Sequence, residues 1–183
     1  MFDACILYPA PLRDFLMELA TMGLFRARWT SEIHDEWTRN LLLNRPDLDA
    51  QKLQRTRDLM DASVMGCLVT GYQSLVNAIN LPDKDDRHVL AAAIHCSADA
   101  IITFNLKDFP PSAMKDYEIE AQHPDEFLHH QFGLDSAAVL RAARNCRDRL
   151  RNPQKNSHDY LNTLESQSLP KLISELRPFA DLI

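Results

Sequence analysis

Three aspartates crowd into four positions in Leu81-Pro82-Asp83-Lys84-Asp85-Asp86-Arg87-His88, and the chain then turns apolar through Val89-Leu90-Ala91-Ala92-Ala93-Ile94. Pro82 marks a boundary, Asp83 or Asp85 suits an N-cap, and Val89, Leu90, Ala93 and Ile94 make the stripe of a buried helix. The helix macrodipole favours acid at such a start, but capping accounts for one carboxylate and not for the cluster. Asp3 lies in the apolar run Phe2-Asp3-Ala4-Cys5-Ile6-Leu7, where a buried carboxylate without a partner is costly. Glu36 sits beside the inner face of a helix marked by Ile33, Trp37 and Leu41; Glu32 or Asp35 could stand in for it. Asp108 follows the apolar run Ala100 to Phe104. Carboxylates from separate segments make a hard, all-oxygen site, which suits Mg²⁺ or Mn²⁺ and not zinc. Such a site suits phosphodiester hydrolysis. Thr103 or Asn105, at a strand end, could orient a ligand or water. Cys5 is a thiol near the site, but no histidine at useful spacing supports it as a nucleophile.

These acids need elements to hold them. Phe2 to Leu7 reads as a short buried strand, broken by Tyr8-Pro9-Ala10-Pro11. Leu12, Phe15, Leu16, Leu19 and Met22 repeat at helical spacing up to Gly23. Phe25 to Trp29 reads as a strand, and Thr30 or Ser31 caps the helix of Glu36. A further helix covers about Leu48 to Met65, then a strand at Cys67 to Thr70, a weakly helical loop, the acidic helix, a strand at Ala100 to Phe104 and an edge-like strand at Tyr117 to Ala121. This alternation predicts a parallel α/β sheet with helices on both faces. Ligands bind such sheets at the carboxyl ends of the strands, which is where Asp3, the Asp83–Asp86 cluster and Asp108 fall. From His123 onward no strand is visible. Pro124 to Phe132, Asp135 to Leu150, His158 to Ser166 and Leu169 to Leu182 read as four helices. We therefore divide the chain into residues 1–122 and an all-α C-terminal extension, 123–183.

Composition bounds the function. With 45% apolar and 25% charged residues the chain is ordinary for a soluble globular protein. It has only 4 glycines and no glycine-rich phosphate loop. No apolar run is long enough to span a bilayer, and the opening residues predict no leader. Cys5, Cys67, Cys96 and Cys146 are widely spaced, which predicts reduced thiols in a cytoplasmic protein. The net charge of −6 counts mildly against polyanion binding, although an acidic metal site contributes to it. Arg141, Arg144, Arg147, Arg149 and Arg151 make the one basic stretch. It reads as an RNA-backbone contact or as a solvated helix face balancing nearby acids, and the second reading is favoured.

The motifs Phe-Asp-Ala-x-Ile-Leu (Asp3), a helix carrying Glu36, Pro-Asp-x-Asp-Asp-Arg-His-Val-Leu-Ala-Ala-Ala (Asp86) and Ile-Ile-Thr-Phe-Asn-Leu-Lys-Asp-Phe-Pro (Thr103 to Pro110) occur in that order. In this order the chain resembles the PIN-domain ribonucleases, in particular the VapC-type toxins of bacterial toxin–antitoxin pairs. The likeness covers about residues 1–122, and the rest resembles the helical tail of a longer subgroup. The resemblance implies a PIN-like parallel five-stranded sheet flanked by helices. It also implies a Mg²⁺- or Mn²⁺-dependent endoribonuclease, frequent homodimers and inhibition by a cognate antitoxin. The implied metal-site residues are Asp3, Glu36, Asp86 and Asp108, with Thr103 and Asn105 in support. Some members carry the last acid where Asn105 stands. Two departures stand out: Cys5 occupies the usual position of a supporting Asn, and the family's first strand normally begins several residues earlier.

Other readings fit less well. A receiver-like domain would need a phosphoacceptor aspartate at the end of Cys67-Leu68-Val69-Thr70. A haloacid-dehalogenase-type phosphatase would need a second aspartate where Cys5 stands. A degenerate PIN domain that binds RNA or a protein without cutting is the main alternative; metal-dependent turnover separates it from the enzyme.

Overall fold

Asp3 ends an extended start and opens a helix. Its backbone is extended, and its carboxylate accepts a hydrogen bond from the Ala4 N–H at 2.6 Å. This N-cap turns Ala4–Leu7 into a short helix and corrects the expectation of a strand through Leu7. A short apolar run is buried equally well in either form, and here the cap decides.

A computed structural model describes all 183 residues. In chain order the helices are α1 Ala4–Leu7, α2 Ala10–Thr21, α3 Ser31–Asn44, α4 Ala50–Ser63, α5 Gln73–Val76, α6 Arg87–His95, α7 Pro111–Met114, α8 Pro124–Leu134, α9 Ser136–Arg149, α10 Ser157–Glu165 and α11 Pro170–Leu176. They fall into two units. The first takes Met1–Tyr8 and Ala27–His123; the second takes Pro9–Arg26 and Pro124–Ile183.

In the first unit, strands β1 (Ala100–Ile102) and β2 (Glu120–Gln122) pair in parallel, with Ala100 opposite Glu120. The structure thus has two strands, not the five expected. The other extended segments are too short to build ladders. Phe2 makes a single parallel bridge to Ile102, and Trp29 one to Leu68. Individual backbone bonds extend the row: Asp3 N to Ile102 O, Phe2 N to Arg28 O, and Val69 N to Trp29 O at 2.8 Å. Helices start at Ala4 and Ser31, and Gly71 turns the chain with φ of 84°, so each segment ends after a few residues. The carboxyl ends of the first segment and of β1 hold Asp3 and Thr103.

A buried polar network pins α3. Trp29 Nε1 donates to Asp61 Oδ1 at 2.7 Å, and Trp37 Nε1 donates to His34 Nδ1 at 2.9 Å. His34 Nδ1 is therefore an acceptor, and its protonated Nε2 donates to the same Asp61 oxygen at 3.0 Å. Burial holds His34 below the ordinary histidine value, against the pull of Asp61. The Thr30 hydroxyl caps α3 by accepting from Ile33 N at 3.1 Å.

The second unit packs α8 against α9 and α11, and α2 against α9 and α10. Leu12, Phe15, Leu16 and Leu19 form the buried face of α2. Asp125, on the first turn of α8, is 5% exposed and accepts from the N–H groups of Lys171 and Leu172, both at 3.0 Å. It caps α11, whose own N-cap residue, Leu169, has no side-chain cap bond. Asp125→Ala leaves these donors without their acceptor and should cost about 1–3 kcal/mol, read by urea unfolding; a loss under about 0.5 kcal/mol would count against this role. Three of the five arginines of the basic run pair with two carboxylates. Arg149 pairs with Glu18 at 2.6 Å, and Arg147 and Arg144 both pair with Asp148. No helix is long and apolar enough to cross a membrane.

Candidate functional site

Asp3 is the anchor of the site. It is 2% exposed. Oδ2 accepts from the Thr103 hydroxyl at 2.6 Å and from the Cys5 thiol at 3.1 Å, while Oδ1 takes the Ala4 N–H. Thr103 is itself oriented by the Asn105 N–H, which donates to its oxygen at 2.9 Å. Cys5 is fixed in turn by the Phe104 N–H, which donates to its sulfur at 3.2 Å. The thiol thus fills a supporting position beside the acid. Burial, with Asp3 next to it, pushes its pKa well up, so it is a neutral donor and not a thiolate.

Asp86 stands at the N-cap position of α6 yet makes no side-chain cap bond. Capping does not consume its carboxylate. Asp83 accepts from Asp85 N at 2.9 Å in a local turn, and both are exposed. Burial pushes the Asp86 carboxyl up to about 7, and the charges of Asp3, Asp83, Asp108 and Glu36 push the same way. Asp3 is also raised, by burial first and by Glu36 in addition, against the hydrogen bonds of Thr103 and Cys5. Asp108 closes a short 3₁₀ turn, Leu106–Asp108, just beyond β1.

On α3, the three acids have different surroundings. Asp35 pairs with Arg57 at 2.7 Å, and Glu32 accepts from the Tyr72 hydroxyl at 2.9 Å. Glu36 acts on both Asp3 and Asp86. The structure therefore brings Asp3, Glu36, Asp86 and Asp108 into one electrostatic field, with Thr103 bonded to the first. The exposed Asn105 contributes its backbone N–H. Sequence reasoning passed over His88. Its Nε2 lies 3.6 Å from Glu36, and its Nδ1 lies 3.8 Å from Glu32. Burial, the largest influence, lowers the His88 pKa, but Glu36, Glu32 and Asp3 outweigh it and the net shift is upward. The available signal was its place two residues beyond Asp86 with two glutamates one helical turn apart on α3.

No three His, Cys, Asp or Glu side chains close into a ready ligand array. The residues nevertheless fit a hard cation by their chemistry. They are carboxylates that raise one another's pKa at Asp86, and a divalent ion bound by oxygen would relieve that repulsion.

Burial of Asp86, with this repulsion added to it, has a measurable cost without metal. Unfolded Asp86 loses its proton near the ordinary 3.8, whereas the folded group holds it to about 7. Between these values the folded state binds the extra proton, so stability falls as pH rises, and the penalty is complete above the folded value. In EDTA, Asp86→Asn should melt higher than wild type at about pH 8, with the gap closing by about pH 4. A gap of constant size across that range would contradict the assignment.

Comparison with known proteins adds to this geometry. The PIN domain model matches residues 1–107, and the VapC50 C-terminal domain model matches residues 124–178. The protein named "Putative ribonuclease VapC50" of Mycobacterium tuberculosis is 40% identical over 107 residues, which is 58% of this chain and 62% of that protein. The matched segment is thus less than two thirds of that relative's length. No solved structure matches the chain.

Proposed function

The chain belongs to the PIN-domain family, as a VapC-type member with a C-terminal extension, and on that premise we propose that it is a Mg²⁺- or Mn²⁺-dependent endoribonuclease, the toxin of a toxin–antitoxin pair. Residues 1–122 are taken as the nuclease part and 123–183 as its helical extension. RNA in the cytoplasm is the substrate and a cognate antitoxin the inhibitor. The observation that carries the reading is the gathering of Asp3, Glu36 and Asp108 around the half-buried Asp86, whose carboxyl is pushed up to about 7 by burial first and by these neighbouring charges, with Asp83, in addition. The name of the M. tuberculosis relative supports RNA as the substrate.

Asp3, Asp86, Asp108 and Glu36 would hold the ion. Once bound, it supplies a water of lowered pKa and positive charge for the developing phosphate charge. The chain's own part is to keep the oxygens in place. Asp3 accepts three hydrogen bonds and so presents a fixed carboxylate. Thr103 and the Asn105 N–H hold that orientation, while the Asn105 side chain at the exposed rim can meet the substrate.

The chemistry distinguishes this reading from an ordinary metal-free ribonuclease. Attack by water does not use the 2′-hydroxyl next to the scissile bond. The products should lack 2′,3′-cyclic phosphate ends, and a 2′-O-methyl group at the cut position should leave a cleavable bond. Cyclic phosphate ends would contradict it, and tight RNA binding with no cleavage under Mn²⁺ would favour a degenerate, binding-only PIN domain.

A further inference from the structure

We infer that His88 sets where the Glu36 carboxylate stands against Asp86, as a positioning residue of the acidic site. The inference rests on the nuclease reading of that site. His88 lies on the first turn of α6, two residues beyond Asp86. Whatever it touches on α3 therefore fixes the separation between Glu36 and Asp86. Glu32 and Glu36 are four residues apart on α3 and so share a face.

The imidazole sits between them, Nε2 3.6 Å from Glu36 and Nδ1 3.8 Å from Glu32. His88 is 8% exposed, and its buried Nδ1 has no hydrogen-bond partner. The Glu32 oxygen that faces His88, Oε2, also accepts a hydrogen bond from the hydroxyl of Tyr72, which is 2% exposed. A row Tyr72–Glu32–His88–Glu36 thus links the segment before α5, α3 and α6.

The other buried histidine of this unit shows what a purely structural role looks like. His34 closes both ring nitrogens into hydrogen bonds of 2.9 and 3.0 Å. Both His88 contacts are longer than hydrogen bonds and both end on carboxylates. They orient charge and do not lock a core. Without the ring, the two glutamates face each other as like charges one turn apart, and Glu36 loses its tie to α6. Outer partners of metal-binding groups carry about 10- to 100-fold in affinity.

The test is Mn²⁺ affinity of the full chain, by electron paramagnetic resonance, in a double-mutant cycle. His88→Leu should weaken Mn²⁺ binding by about tenfold or more. His88→Gln, whose amide can still donate toward Glu36, should stay within about threefold of wild type. In a Glu36→Gln background, His88→Leu should add nothing. Unchanged affinity in His88→Leu overturns the inference, as does an equal loss with and without Glu36. Should His88→Leu fail to fold, Tyr72→Phe carries the test by releasing Glu32. A loss of about threefold that depends on Glu36 is then expected, and no loss overturns the inference. Wild-type protein with no Mn²⁺ affinity would remove the nuclease reading as well; intact affinity that is indifferent to His88 removes only this one.

Discussion

Asp86→Asn is expected to lower kcat for RNA cleavage by about 100-fold or more while the protein stays folded. The substitution keeps the side chain's shape and removes its charge. No helix cap is lost, because Asp86 makes no cap bond. Above the folded pKa of about 7 the variant should be more stable than wild type in the absence of metal, since burial and four neighbouring carboxylates oppose the ionised form. Loss of activity together with gained stability separates chemistry from misfolding. Asp3→Asn is a poorer probe. Its carboxylate accepts from Ala4 N, Thr103 and Cys5, and an amide nitrogen placed there would face donors. A kcat within about threefold of wild type for Asp86→Asn would remove Asp86 from the chemistry.

Asp61→Ala has the largest expected effect on stability, about 2–5 kcal/mol. One oxygen of Asp61 accepts from both Trp29 and His34, and both donors are at most 1% exposed. Removal strands the two together. Water entering beside Asp61, which is 33% exposed, sets the lower end of the range. Trp29 and Trp37 are the 2 tryptophans of the chain, and both lie in this network, so their fluorescence reports its unfolding directly. A urea midpoint matching wild type would mean the network is replaceable. The consequence reaches the site, because α3 carries Glu36 next to Trp37.

Asp3 and the Asp83–Asp86 cluster stand out in the sequence as candidates, because a charge inside an apolar run, and acid in excess of what capping needs, both point to a site; only the resemblance singles out Asp86 within the cluster. The hydrogen bond from Thr103 to Asp3 crosses about 100 positions in the chain, a pairing that no local pattern shows. The C-terminal helices were legible from their stripes; Asp135 and Asn156 cap two of them by accepting from Ala138 N and Asp159 N. The sheet was not. Residues 2–7 carry an apolar pattern that suits strand and helix alike, and a single capping bond at Asp3 settles the matter. The extended segments near Trp29 and Leu68 make only one bridge, too little for the five strands expected. Nor does periodicity reveal a partner. The buried stripe of α2 announces a core helix, but only the folded chain shows that Pro9–Arg26 groups with the C-terminal helices. His88 was missed because a histidine at a polar helix start looks like any other, and its meaning comes from Glu32 and Glu36 across the gap.

The central claim is tested most directly by cleavage of total RNA, with wild type and Asp86→Asn each incubated with Mn²⁺, with Mg²⁺ and with EDTA. Discrete fragments are expected from wild type with either metal, none with EDTA, and none from the variant under any condition. Fragments that persist in EDTA, or that appear equally from Asp86→Asn, would contradict a metal-dependent nuclease built on this acidic site.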